Sequence, residues 1–163
     1  MIIFGLHPMN ENKYNYILRW IKQISEIRPE LGNFAVCPYA SQAKFIILDE
    51  ELKKVKPRMG WEVVIYAVED DHEADFLYAM VDDYNRVYKK YKFIADHRKS
   101  NTFINGVQTN NGKYNLVLCQ PRKELTEARK KLGKTNYYDY WDKNYLQEVL
   151  EEDYKEVFDK KRQ

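Results

Sequence analysis

Cysteine and histidine are scarce in this chain, and their scarcity excludes several kinds of site. The 163 residues include only two cysteines, Cys37 and Cys119, and three histidines. Two cysteines this far apart form neither a disulfide framework nor a CxxC motif, so we expect both to be reduced thiols. Scattered histidines do not provide the clustered ligands that zinc needs. We therefore expect no metal site and no cofactor.

Long apolar runs and an excess of one charge are missing too. No stretch approaches the roughly 20 apolar residues that cross a bilayer, and the amino terminus lacks the basic region and cleavage site of a secretory signal. The 27 basic and 25 acidic side chains leave a formal charge of +2, which is too small to predict nucleic-acid binding. The sequence thus predicts a cytoplasmic protein with neither a membrane nor a nucleic acid as partner.

Tyrosine, in contrast, is abundant. Its 14 copies accompany many lysines, asparagines and isoleucines, the residues that A/T-rich codons favour. Such a composition is typical of many phages and marine microbes. The excess of tyrosine is therefore not by itself evidence for a chemical role.

Apolar residues recur at helical spacing in four segments and form short, often β-branched runs elsewhere. The helical patterns cover residues 16–27, 76–91, 121–133 and a last stretch from about residue 139. The strand candidates are residues 2–6, 44–48, 61–68 and 114–119, with weaker ones at 93–95 and 102–107. The order β-α-β-β-α-β predicts an α+β fold of the ferredoxin-like kind, an antiparallel sandwich with extra C-terminal helices.

No repeat or flexible linker divides the chain, so we expect residues 1–163 to form one domain with a C-terminal helical extension over about 121–163. In the predicted fold the first two helices pack on the same sheet face. An Asn-Gly turn at Asn111 predicts a hairpin that joins 102–107 to 114–119. The segment 61–68 is apolar on both faces, so C-terminal helices or a partner subunit should cover the second face, with a homodimer favoured.

Cys37 lies in the apolar segment GNFAVCPYASQ and directly precedes a proline. In the predicted topology its loop lies at the same end of the sheet as His72, Cys119 and Arg122. A nearby cation or a helix N-terminus favours a thiolate, and a histidine can act as its base. Cys37 is therefore a candidate nucleophile with His72 as partner. The alternative is that both cysteines are packing residues, since cysteine is often buried.

A second polar group stands in the segment DHRKSN, residues 96–101. Arg98 has the planar fork that binds a carboxylate or phosphate, and His97 offers a donor that titrates. Together with Arg122 and with Tyr39 beside Cys37, Arg98 is a candidate contact for a small anionic molecule. The alternative is a solvated loop.

The segment RWIKQISEIRPELGNFAVCPYA resembles the start of an uncharacterised bacterial family, in which a Trp-containing helix leads into a Leu-Cys-Pro-Phe-Ala-type motif. Here the motif reads Val36-Cys37-Pro38-Tyr39-Ala40. Later features follow in a compatible order over residues 19–132, including the FLYAMVDDYNRVY helix and a histidine after a strand, His97. The family has no firm function to transfer, but the resemblance pairs Cys37 with His97 as site residues.

These observations favour a small-molecule site at the Cys37 loop, used for binding or for thiol-centred chemistry, and they leave open whether the chain is an enzyme. In the catalytic version Cys37 is the nucleophile, His72 or His97 the base, and Arg98 or Arg122 the anion contact. The alternative is a non-enzymatic interaction module or phage-type accessory protein. Such a module would dock through the aromatic residues that precede the last helix: Tyr137, Tyr138, Tyr140, Trp141 and Tyr145.

Overall fold

Residues 9–158 are described by the structure, a computed structural model, and within this range five α-helices surround a four-stranded sheet. The helices are α1 (Glu11–Ile24), α2 (Ala74–Val87), α3 (Arg122–Gly133), α4 (Lys143–Leu150) and α5 (Asp153–Phe158). The sheet contains β1 (Phe45–Asp49), β2 (Val63–Ala67), β3 (Tyr91–Asp96) and β6 (Leu116–Pro121), and β4 (Phe103–Ile104) pairs separately with β5 (Val107–Gln108). The predicted α+β class is confirmed, whereas the strand predicted over 2–6 lies outside the described residues.

The sheet has the strand order β1-β2-β6-β3 and is mixed. β1 and β2 are parallel, with Ile47 opposite Ile65, whereas β6 is antiparallel to both of its neighbours. Because β1 and β2 are consecutive in the chain, their parallel pairing requires the crossover through residues 50–62 instead of a tight hairpin. The ferredoxin-like arrangement and its purely antiparallel sheet are therefore not supported.

Different helices cover the two faces of the sheet. One face packs against α1, with Trp20 and Ile65 in the same cluster, and the other packs against α2, with Leu77 and Val64 together. Successive strand residues point to opposite faces, so an apolar strand such as β2 needs a cover on each side. The prediction that both faces of this strand are covered is confirmed. The prediction that the first two helices share one face is wrong.

The short hairpin of β4 and β5 turns at a different Asn-Gly pair from the one predicted. Asn105 and Gly106 have φ values of 46° and 82°, and a type I′ turn requires positive φ at both central residues. Strand β6 instead lies in the middle of the main sheet, between β2 and β3. The predicted pairing of 102–107 with 114–119 is therefore wrong.

The C-terminal helices form a layer that starts where β6 ends. Helix α3 contacts β6, β3 and α5. The single last helix that the sequence predicts is divided into α4 and α5 at Glu151, whose φ is 47°. Non-glycine residues rarely adopt positive φ, so this residue ends one helix and lets the chain turn into the next. None of the helices within residues 9–158 is long and apolar enough to cross a membrane.

Candidate functional site

A cavity of ≈ 690 Å³ lies over the sheet face that α1 covers, in the space between α1 and α3. Its floor includes Val63, Ile65 and Leu118 of the sheet. The walls come from α1, the loop of residues 36–43, α3 and the C-terminal segment, and they are mainly apolar or aromatic. The wall residues include Trp20, Ile24, Cys37, Tyr39, Ala128, Arg129, Tyr137, Tyr138 and Trp141.

The loop that carries Cys37 is tied to two parts of the fold. The backbone N–H of Cys37 donates to the carbonyl of Ile24 over 2.8 Å, at the end of α1. The hydroxyl of Tyr137 donates to the carbonyl of Val36. Fixed between α1 and the C-terminal segment, the loop places Cys37 and Tyr39 on the cavity wall.

The Cys37 thiol is accessible from the cavity but partly enclosed by protein. Cys37 is exposed as a residue and lines the cavity, while the protein around its sulfur desolvates the thiol. This desolvation raises the pKa of the thiol, while the backbone N–H groups of Tyr39 and Ala40 act in the opposite direction. Among the described residues no Lys, Arg or His side chain lowers that pKa. The neutral thiol is therefore favoured, and the activation that a nucleophile needs is missing.

The second cysteine is further from any reactive role. Cys119 is 2% exposed and belongs to the cluster under α2, on the opposite face of the sheet from the cavity. Burial raises the pKa of its thiol to about 12. Cys119 is a packing residue, as the alternative interpretation of the sequence proposed.

The polar centre of the cavity wall is Arg129, which the sequence interpretation missed. Its guanidinium Nη1 donates to Asp153 Oδ2 over 2.9 Å, and Thr126 donates to the other carboxylate oxygen over 3.0 Å. The signal was present in the helical spacing, since Arg129 follows Leu125 by four residues and precedes Leu132 by three, on the apolar stripe of α3. A charged residue on such a stripe indicates a buried pair.

Three of the aromatic residues before α4, Tyr137, Tyr138 and Trp141, form part of the cavity wall instead of an open docking surface. Tyr137 and Tyr138 are 5% and 7% exposed, and their rings pack edge to face with centroids 4.8 Å apart. Burial raises the pKa of Tyr138 to about 12, with the positive charge of Arg129 acting against the shift. Trp141 contacts both tyrosine rings. This part of the predicted interaction surface is occupied by contacts within the chain.

His72 and His97 lie at the other end of the sheet from Cys37. The loop with Cys37 precedes β1, whereas His72 follows the end of β2, and His97 follows the end of β3. Because β1 and β2 are parallel, a loop before β1 and a loop after β2 are separated by the strand length, about 16 Å for five residues. The expected convergence of Cys37 with either histidine is therefore wrong.

Both nitrogens of the buried His97 ring are used to join loops. His97 is 2% exposed, its Nδ1 accepts from the backbone N–H of Lys99 over 3.1 Å, and its Nε2 lies 2.8 Å from the carbonyl oxygen of His72. Since Nδ1 accepts, the proton is assigned to Nε2, which donates to His72. Arg98 is at the same end, where its backbone N–H donates to Asn115 Oδ1 over 2.8 Å. These contacts organise the polar end of the sheet.

Arg122 lies near the cavity end of the sheet but outside the cavity lining. Its Nη1 pairs with Glu152 Oε1, and its Nε donates to the carbonyl of Lys89 over 3.2 Å. Cys37 and Tyr39 are thus the predicted site residues that the structure brings together on one wall. Within residues 9–158, no three His, Cys, Asp or Glu side chains are grouped so that they could hold a metal ion.

The chain matches no protein-family model, and it has no significant match among curated proteins or solved structures. The resemblance of the Val36-Cys37-Pro38-Tyr39-Ala40 motif to the uncharacterised bacterial family stays a prediction.

Proposed function

We propose that this chain binds a small, mainly apolar molecule in the cavity between α1 and α3. The observation that carries the proposal is the cavity itself, whose ≈ 690 Å³ lies within the range of about 300–1,000 Å³ found for ligand sites. Protein interiors are otherwise close-packed, and unfilled apolar volume costs stability. A space of this size beside Trp20 and Trp141 is therefore well suited to an occupant.

The state of Cys37 supports binding over thiol-centred catalysis. Desolvation favours the neutral thiol. Cys37 lies at one end of the sheet, and both candidate bases, His72 and His97, lie at the other end. A nucleophilic cysteine normally has a nearby base or cation. In this proposal Cys37 and Tyr39 line the site, and the thiol takes no part in a reaction.

A cytoplasmic location and a homodimer remain proposals from the sequence. The sequence offered a partner subunit as one possible cover for the second sheet face, and α1 and α2 of one chain already cover both faces. Light scattering at micromolar concentration measures the mass directly, and the ligand proposal requires neither a monomer nor a dimer.

A neutral fluorescent probe tests the proposed site. N-phenyl-1-naphthylamine should bind saturably with one site per chain, and bound probe should slow the modification of Cys37 by N-ethylmaleimide because Cys37 lines the cavity. Saturable binding without this protection would place the probe elsewhere. The absence of saturable binding by this probe and by naphthalene-2-carboxamide would refute the proposal.

A cavity-filling variant provides the matched comparison. Ala128→Trp places a large side chain in the wall and should weaken probe binding by about tenfold or more, equivalent to about 1.4 kcal/mol. Ala79→Trp, at an exposed position of α2, adds the same side chain outside the site and should leave the affinity unchanged. Equal affinities for the two variants would contradict the assignment of the cavity.

A further inference from the structure

The guanidinium of Arg129 has more donors than its partner uses. Arg129 is 7% exposed, and among residues 9–158 its side chain makes one hydrogen bond to a protein acceptor, from Nη1 to Asp153. A guanidinium carries five N–H donors, and burying unused donors costs free energy. Among residues 9–158, Nε of Arg98 is fully enclosed and has no hydrogen-bond partner. No side-chain nitrogen of Arg129 is in that state. The spare donors of Arg129 therefore reach space that a ligand can occupy.

The hydroxyl of Tyr138 adds a second polar group to the same wall. Tyr138 lines the cavity with Arg129, and burial raises the pKa of its hydroxyl while the positive charge of Arg129 acts against that shift. Within the described part of the chain this hydroxyl has no hydrogen-bond partner, unlike that of Tyr137, which donates to Val36. A phenol can donate to an acceptor just as the guanidinium can. The apolar cavity thus has one corner that offers donors.

The charges around this corner oppose an anionic ligand. Asp153 already neutralises Arg129, and both side chains are 8% exposed. The other charged residues that line the cavity are acidic, Glu62 and Glu124, and both are exposed at its rim. A ligand carboxylate would bring an uncompensated negative charge into a poorly solvated site, which is costly. A neutral acceptor gains the hydrogen bonds without this cost.

We infer that the cavity selects an uncharged, largely apolar molecule whose hydrogen-bond acceptor, such as an amide or ketone carbonyl, lies against Arg129 and Tyr138. This inference rests on the proposed function, since it specifies the ligand of the same cavity. It replaces the small anionic molecule that the sequence predicts. Arg98 and Arg122, the contacts expected for that anion, are both outside the cavity lining.

Three ligands with a common ring system test the inference on the unmodified protein. Naphthalene-2-carboxamide, 2-naphthoate and 2-methylnaphthalene differ only in the group attached to the ring, and each is titrated as a competitor of bound N-phenyl-1-naphthylamine. The carboxamide should bind about fivefold more tightly than the hydrocarbon, as one net hydrogen bond provides. It should bind about tenfold more tightly than the naphthoate, whose charge must be desolvated.

The outcomes separate the inference from the function on which it rests. If the probe binds in the cavity and the naphthoate competes as well as or better than the carboxamide, the charge selectivity is wrong and the binding site stands. If the carboxamide and the hydrocarbon compete equally, the polar corner takes no part in recognition. If neither the probe nor the carboxamide binds, the proposed function itself fails.

A conservative variant identifies the group responsible. Arg129→Lys keeps the positive charge beside Asp153 but loses the planar fork of donors. It should abolish the fivefold preference for the carboxamide while the hydrocarbon affinity stays the same. Arg122→Lys, which alters an arginine outside the cavity lining, should retain the preference. If Arg129→Lys keeps the preference, the planar fork of Arg129 is not what recognises the carboxamide, because lysine retains N–H donors but not the fork. The ligand series on the unmodified protein gives an answer even if Arg129→Lys fails to fold.

Discussion

Arg129 of α3 and Asp153 of α5 form a 2.9 Å ion pair in which each side chain is only 8% exposed. Thr126, on the preceding turn of α3, donates a hydrogen bond to the other carboxylate oxygen of Asp153. The pair therefore joins α3 to α5 and at the same time sets the orientation of the guanidinium on the cavity wall.

Removing the acidic partner should destabilise the fold strongly. Asp153→Ala leaves the buried Arg129 without a counter-charge and should lower the free energy of unfolding by about 3–5 kcal/mol. Glu152→Ala removes the partner of Arg122 from a more exposed pair and should cost at most about 1 kcal/mol. Urea unfolding of the two variants measures the difference, and equal losses would show that the Arg129–Asp153 pair is not buried as described.

Gly133, the last residue of α3, should not tolerate alanine. An added Cβ would lie 2.5 Å from Val157 Cγ1 and 3.1 Å from the Val157 carbonyl oxygen. Helix propensity alone predicts that Gly133→Ala stabilises the helix by about 0.5–1 kcal/mol, whereas overpacking predicts a loss of about 1–3 kcal/mol. We expect the loss. In a double-mutant cycle, Val157→Ala should recover part of it, and a purely additive cycle would argue against the contact.

The pH dependence of the reaction of Cys37 with N-ethylmaleimide should reflect the raised pKa of its thiol. Because the thiolate is the reactive form and desolvation raises the pKa of Cys37, the rate should be low at pH 6 and still be rising by about tenfold per pH unit at pH 8. The Cys119→Ala variant isolates the Cys37 thiol, and Cys37→Ser reports the slower reaction of the buried Cys119. Rapid modification of Cys37 at pH 6 would reveal an activated thiolate and restore the catalytic interpretation.

His97 should matter for stability and not for binding. His97→Ala removes both loop contacts of the buried ring and should lower the free energy of unfolding by about 1–3 kcal/mol. Since His97 lies at the opposite end of the sheet from the cavity, probe affinity of the folded variant should stay within twofold, or about 0.4 kcal/mol. Lost affinity in a variant of normal stability would place His97 at the site after all.

Local sequence patterns predict the core of this fold better than its topology. The apolar phases identify Trp20, Val64 and Leu77 as buried, and all three are, because helical and strand periodicity show which side of an element is apolar. Periodicity does not specify which sheet face receives that side, so it leaves the placement of α1 and α2 undetermined. Strand order could not be predicted from local patterns either, since no residue pattern within β1 or β2 distinguishes a parallel neighbour from an antiparallel one.

The candidate site shows the same division between local and long-range information. The segment around Cys37 is apolar and follows α1 in the chain, so its role as a cavity wall could be anticipated from nearby residues. The predicted pairing of Cys37 with His72 depended on the ferredoxin-like topology. Because the strand order is different, that pairing was wrong. Arg129 and Asp153 are 24 residues apart, and their contact arises only when α5 folds back on α3, which the positive φ of Glu151 permits.

The central position of β6 has a consequence for how the chain reaches this fold. β2 and β3 precede β6 in the sequence, but both pair with β6 in the sheet. Leu116 of β6 lies opposite Ala67 of β2 on one side and opposite Asp96 of β3 on the other. Until β6 enters between them, the two apolar strands present unpaired backbone edges to other chains. Pairing partners so distant in sequence also slow the search for the native state. Refolding yield should therefore fall steeply with protein concentration, and the cavity, whose floor includes Leu118 of the inserted strand, cannot exist before that step.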